Sequence, residues 1–107
     1  MFYIAYDPIY AHPLPEGHRF PMLKYELIPE QLLHEGLIGK ENLHAPAILE
    51  DEVILWTHEH DYYYRLKSLS LTPQEARRIG FPLSEQLVER ELRIAQGTID
   101  GCMYALN

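Results

Sequence analysis

The sequence predicts a single α/β unit of 107 residues that is mostly helical and has about two short parallel strands. Three observations lead to this prediction. An aromatic-rich β-forming run opens the chain, later segments repeat apolar residues at helical spacing, and the order strand, helix, strand implies parallel pairing. With 47% hydrophobic residues, a chain of this length can fill one modest core. No repeat or linker divides residues 1–107.

The first half of the chain is predicted to contain both strands. Residues 2–6 are rich in β-formers and end at Asp-Pro, so they form a short buried strand. Residues 7–19 form a loop, because three prolines and a glycine interrupt regular structure. A helix follows from Phe20 to a stop at Gly36, with a kink where Pro29 starts a second segment. Residues 43–48 give the second strand.

The second half is predicted to be helical throughout. Two short helices cover residues 50–56 and 58–69, and a third begins at the cap Thr72 and ends at Gly80. Tyr62, Leu66 and Leu69 form the apolar face of the second of these helices. The last helix begins at the cap Ser84. Its apolar stripe consists of Leu87, Val88, Leu92, Ala95, Ile99, Cys102, Met103 and Leu106, which predicts a packed core thiol at Cys102.

Composition excludes several classes of protein. The net charge is −7, from 16 acidic and 9 basic residues without a basic run, which argues against binding nucleic acid or anionic membranes. No segment approaches the roughly 20 apolar residues of a membrane span. One cysteine cannot form an internal disulfide, and residues 1–7 lack the pattern of a signal peptide. We therefore expect a cytoplasmic protein.

The six histidines raise the question of a metal site. His58 and His60 are placed at the start of a helix, where positions i and i+2 diverge, so a structural or solvated role is favoured. His34 and His44 are expected at the surface. His12, Pro13, His18 and Arg19 belong to the long loop, which suits either the rim of a pocket or a stiff surface loop. The residues alone favour the surface loop but leave both open.

Three stretches resemble the histone deacetylase superfamily in order and spacing, nearest to its bacterial, class IV-like members. The first is His12-Pro13-Leu14-Pro15-Glu16-Gly17-His18-Arg19-Phe20-Pro21-Met22-Leu23-Lys24-Tyr25. The second is Thr57-His58-Glu59-His60-Asp61-Tyr62, and the third is Gln96-Gly97-Thr98-Ile99-Asp100-Gly101. The resemblance runs from Phe2 to Leu106. It implies the arginase/deacetylase-type fold, a parallel sheet with helices on both faces.

The resemblance also implies a zinc-dependent hydrolase that removes an acyl group from acylated lysine or a small amine. This sequence departs from the family at the decisive place, because it has neither the Asp-x-His zinc ligands nor the adjacent His-His pair. We therefore expect residues 1–107 to be a single partial domain, the N-terminal fragment of such an enzyme, with no metal site, catalytic residue or cofactor of its own. A stand-alone binding module and a small structural or regulatory protein are the alternatives.

The family match assigns positions to the loop residues. Arg19 corresponds to an arginine that lines an internal channel, so its guanidinium is expected to point inward. His12, Pro13 and His18 correspond to the loop that shapes the substrate entrance. Because the last helix and the first strand would lack most of their covering sheet, we also expect a homodimer or higher assembly.

Overall fold

The computed structural model describes residues 2–107 as an α/β arrangement that is mostly helical and contains one small parallel sheet. The predicted class is confirmed in these coarse terms. The elements in chain order are β1 (Ile4–Ala5), α1 (Lys24–His34), β2 (Leu43–His44), α2 (Asp51–Ile54), α3 (His60–Lys67), α4 (Pro73–Ile79) and α5 (Glu85–Leu106). Short 3-10 turns at Pro8–Tyr10 and Lys40–Asn42 precede α1 and β2.

The two strands pair in parallel, as predicted, but each contains only two residues. Ile4 lies opposite Leu43 and Ala5 lies opposite His44. The pairing is extended by the Tyr6 amide, which donates to the His44 carbonyl at 2.9 Å. Pro46 prevents β2 from continuing to residue 48, because proline has no amide hydrogen to donate to a neighbouring strand.

Helix ends follow the local chemistry of the sequence. The Glu75 amide donates to Thr72 Oγ1 at 3.2 Å and the Thr72 amide donates to Glu75 Oε1 at 2.9 Å, so the predicted capping box is confirmed. Gly80 ends α4 with φ 85°, and Ser84 caps α5 by accepting from the Leu87 amide at 3.0 Å.

Helix α1 differs from the prediction. The expected division at Pro29 is wrong, because Lys24–His34 is a single helix with the proline inside it. Proline at this position deprives only the Tyr25 carbonyl of its i+4 donor, and the hydrogen-bond ladder resumes beyond it. The helix also begins four residues after Phe20, and Gly36 follows its end with φ 72°.

The core lies where α5 meets α2 and α3. Leu49, Tyr63, Val88 and Leu92 form its buried cluster. The tyrosine buried from α3 is therefore Tyr63, whereas Leu69, which the sequence placed on the apolar face, is 39% exposed. Leu69 adopts φ 58° just beyond the end of α3 and is not among the residues packed against the cluster.

The molecule is thin for its length. Its radius of gyration is 15.6 Å and its shortest extent is 16 Å. A compact domain of this size has a radius of about 13 Å. Within residues 2–107, eight hydrophobic residues are buried and thirteen large ones are exposed. None of the described helices is both long and apolar enough to cross a bilayer.

The far end of α5 contradicts the expectation of a fully buried stripe. Cys102, predicted to be a packed core thiol, is exposed. Met103 is 56% exposed and Leu106 is 80% exposed. Along α5, the core cluster and the residues packed against it extend only as far as Ala95, and these later residues lie beyond it.

Candidate functional site

The loop after β1 is anchored beneath α5 by Tyr10. Asp7 starts the 3-10 turn by accepting a hydrogen bond from the Ile9 amide at 2.9 Å, and the turn places Tyr10 in the interior, where it is 7% exposed. The Tyr10 hydroxyl donates to the Arg93 carbonyl at 3.4 Å. Burial is the main cause that raises the pKa of Tyr10, and Asp7 adds to it. This tyrosine is therefore a neutral hydrogen-bond donor.

Arg90 is the centre of the contact between the loop and α5. The residue is 2% exposed, and its Nε donates to the Tyr10 carbonyl at 2.8 Å. One terminal nitrogen donates to Glu91 Oε1 at 2.7 Å, and the other lies 3.6 Å from the sulfur of Met22. The guanidinium lies 5.0 Å from the ring centroid of Tyr25. A single buried cation thus joins the loop, the segment before α1 and α5.

His12 is the one predicted loop residue that enters the interior. It is 5% exposed, and its Nδ1 has no hydrogen-bond partner among residues 2–107. Burial lowers the pKa of His12, the Arg90 cation lowers it further, and Glu91 opposes them. The imidazole is therefore held in its neutral form, with one buried nitrogen that no residue in the range 2–107 bonds.

His18 lies at the surface and connects the loop to the end of α4. The Phe20 amide donates to Nδ1 at 3.1 Å, so Nδ1 is the acceptor nitrogen. The proton of the neutral ring is therefore on Nε2, which donates to the Gly80 carbonyl at 2.8 Å. The ring also lies 5.5 Å from that of Phe81. These contacts give His18 a positioning role in the loop.

Pro13 and Arg19 are exposed. The expectation that the Arg19 guanidinium points inward is wrong for this chain, and within residues 2–107 no hydrogen bond or ion pair holds it. The guanidinium that is buried beneath the loop is that of Arg90. The structure therefore brings His12 to Arg90 and leaves Pro13 and Arg19 in solvent.

The remaining histidines make local contacts. His58 Nδ1 lies 2.8 Å from Thr57 Oγ1 and 3.2 Å from the Ile54 carbonyl, and the His60 ring stacks on Tyr64 with centroids 5.4 Å apart. Over residues 2–107, no three side chains of His, Cys, Asp or Glu come together as a metal-binding group. The described residues therefore do not fit the zinc site that the family resemblance implies.

A second polar cluster, which the sequence did not predict, lies between α2 and α3. The Tyr63 hydroxyl donates to Asp51 Oδ1 at 2.7 Å, and Lys67 Nζ donates to the same oxygen at 3.0 Å. The Tyr63 bond is the main cause that lowers the pKa of Asp51, with Lys67 second, and burial raises the pKa of Tyr63. These residues line an open hollow of about 330 Å³. All three are satisfied by one another, so the cluster joins the two helices.

Sequence reasoning also missed Arg90. A signal was present, because Arg90 precedes Gly97 by seven residues, or about two helical turns, and so projects from the same face of α5. Gly97 lies against β1, where an added Cβ would come within 2.9 Å of the Ala5 Cβ. An arginine on the helix face that packs against a strand and a loop must be buried, and its guanidinium must donate hydrogen bonds to acceptors there.

Comparison with known proteins gives relatives that are much longer than this chain. An uncharacterized protein of Picosynechococcus is 39% identical over 105 residues, which cover 98% of this chain and 35% of that protein. The acetoin utilization protein AcuC of Staphylococcus aureus is 24% identical over 102 residues, which cover 92% of this chain and 26% of AcuC. No protein-family model matches the chain. Nearly all of this chain is thus similar to these proteins, but it spans only about a quarter to a third of their length.

Proposed function

We propose that residues 1–107 are the N-terminal part of a bacterial, class IV-like zinc-dependent deacetylase with an arginase/deacetylase-type fold. Its substrate is an acylated lysine or a small acylated amine. One observation carries the proposal: the similarity covers 98% of this chain but only 35% of the Picosynechococcus protein. The deacetylase-like motifs occur in order along the same span, from the loop His12–Tyr25 to residues 96–101.

In this proposal the chain contributes the wall of the substrate entrance. The loop is rigid because Arg90 holds its backbone through the Tyr10 carbonyl, and His18 holds its far end through Gly80. Pro13 and Arg19 are exposed on this fixed loop, so they are free to meet a substrate. His12 stands behind them with a neutral ring.

The chain does not carry the hydrolysis itself. Zinc in a deacetylase polarises the amide carbonyl and activates water. Because residues 2–107 lack a suitable ligand cluster, the metal would be held by residues outside this chain. In this proposal the chain alone is inactive and the protein is cytoplasmic.

A hybrid protein tests the proposal. The matched segment of the Picosynechococcus relative is replaced by residues 1–107, and the parent and hybrid are assayed for bound zinc and for release of acetate from acetyl-lysine peptides and acetylated amines. We expect both proteins to bind zinc and hydrolyse the same substrates, while the 107-residue chain alone releases none. A parent or a folded hybrid without hydrolysis would contradict the proposal, as would hydrolysis by the isolated chain.

The stand-alone binding module remains the second candidate, because residues 2–107 already form a connected core and capped helices. The coding sequence downstream of Asn107 separates the two. An Asp-x-His pair and a His-His pair encoded in the same frame favour the deacetylase. A stop codon directly after Asn107 favours the module.

A further inference from the structure

His12 and Arg90 meet at one backbone carbonyl. The His12 amide donates to the Tyr10 carbonyl at 3.0 Å, and Arg90 Nε donates to the same oxygen at 2.8 Å. Both His12 and Arg90 are buried, with 5% and 2% of their surface exposed. A histidine, which can gain a proton, is thus packed beside a permanent cation at the point where the loop after β1 attaches to α5.

The charged groups around the His12 imidazole oppose a second positive charge there. Among the described residues, Arg90 and Glu91, both on α5, are the charged side chains that act on His12. Glu91 Oε1 already accepts a hydrogen bond from Arg90 at 2.7 Å, so this one carboxylate offsets one cation and not two. The other titratable groups at this contact are phenols. Tyr10 in the turn is a neutral donor, and the Tyr25 ring of α1 lies 5.0 Å from the Arg90 guanidinium.

A protonated His12 ring does not fit this site. Both nitrogens of an imidazolium carry hydrogen, whereas Nδ1 is buried and meets no acceptor among residues 2–107. A buried donor without an acceptor is unfavourable, and so is a second cation beside Arg90. The ring avoids both penalties by moving into water. The chain allows this movement because the next residue, Pro13, is already exposed.

We propose that His12 is a pH-sensitive latch, whose ring leaves the interior when it is protonated and so releases residues 11–17 from α5. At neutral pH the ring stays inside and its amide remains on the Tyr10 carbonyl. In acid, Arg90 Nε keeps its bond to that carbonyl. The far end of the loop is still held by His18 Nε2, which is a donor in both charge states of its ring. The opening is therefore local, and the display of the loop residues depends on pH.

NMR spectroscopy of the 107-residue chain between pH 8 and 4.5 tests the latch. The ring carbon of His12 reports its protonation, and the amides of Leu14 and Gly17 report the position of the loop. We expect these three signals to follow one titration curve with a midpoint below about 6.5, while the amide of the buried Leu92 keeps its protection from hydrogen exchange. A ring that stays neutral to pH 4.5, or that gains its proton without a change in the loop, would overturn the proposal. Loss of Leu92 protection at the same midpoint would also overturn it, because that result means global unfolding.

Two matched histidine variants assign the effect to one ring. His12→Asn removes the proposed proton site, and His34→Asn removes an exposed histidine at the end of α1. We expect the pH response of the Leu14 and Gly17 amides to persist in His34→Asn and to disappear in His12→Asn. A response that His12→Asn retains would mean that another group opens the loop, and would refute the latch. The titration of the wild-type chain does not depend on how these variants fold. The inference is also independent of the proposed deacetylase function, because it concerns only how the loop is attached to α5.

Discussion

Replacing Gly97 by alanine should overfill the contact between α5 and the sheet. The new Cβ would lie 2.9 Å from the Ala5 Cβ and 2.9 Å from the Tyr10 hydroxyl oxygen. The Ala5 methyl cannot move without β1, and Tyr10 is buried, so neither neighbour can give way easily. Overpacking of this kind costs about 1–3 kcal/mol. The gain in helix propensity from glycine to alanine, about 1 kcal/mol, offsets part of it.

Gly101 provides the matched control one helical turn later. Nothing lies within 4 Å of a Cβ at this position, so Gly101→Ala should show only the propensity gain. The free energy of unfolding of Gly97→Ala should therefore be lower than that of Gly101→Ala by about 1–3 kcal/mol, since the propensity term cancels between them. Urea unfolding followed by far-ultraviolet circular dichroism measures both. Equal stabilities, or a more stable Gly97→Ala, would refute the close approach of α5 to β1.

Three further perturbations test the polar contacts. Arg90→Ala should lower the free energy of unfolding by about 1–3 kcal/mol, because the buried Tyr10 carbonyl loses a donor. The exposed control Arg78→Ala should stay within about 0.5 kcal/mol of the wild type. Urea unfolding measures both variants, and equal stabilities would disprove the prediction. Folding lowers the pKa of His12, so the stability of the folded chain should decrease as the pH drops below about 6.5. Thermal unfolding at a series of pH values measures this decrease, which should be absent in His12→Asn. The Arg65 guanidinium lowers the pKa of Glu75 to about 2. The stabilisation that this ion pair gives the folded chain should therefore be complete above about pH 4.5 and be lost as the pH falls towards 2. If acid unfolding of Glu75→Gln followed the same pH dependence as the wild type, the pairing would be contradicted.

Local features of the fold could be predicted from sequence because the residues that form them are close in the chain. The Thr72 capping box, the Ser84 cap and the left-handed Gly36 and Gly80 were all placed correctly. Each depends on hydrogen bonds over three or four residues, or on a backbone angle that glycine favours. The parallel pairing of the two strands also followed from their order around α1.

Long-range contacts could not be predicted in the same way. Arg90 and the Tyr10 carbonyl are 80 positions apart, and nothing in either segment specifies the other. The family resemblance implied an inward guanidinium at Arg19, which the structure leaves exposed. The burial of Cys102 was misjudged for a related reason, because periodicity gives the side of the helix but not how far its neighbours extend.

The burial of Arg90 bears on what the loop can do. A guanidinium removed from water is stable only if its donors find acceptors, and here a loop carbonyl is one of them. Any displacement of the loop would break the hydrogen bond between Arg90 Nε and the Tyr10 carbonyl and leave the buried Nε without an acceptor, so the backbone between β1 and His12 is fixed relative to α5. His18 fixes the loop at its other end through Gly80. The backbone between these two anchors is thus held at both ends, and it displays exposed residues, with Arg19 beside them. A substrate entrance or a binding surface requires this kind of preorganisation.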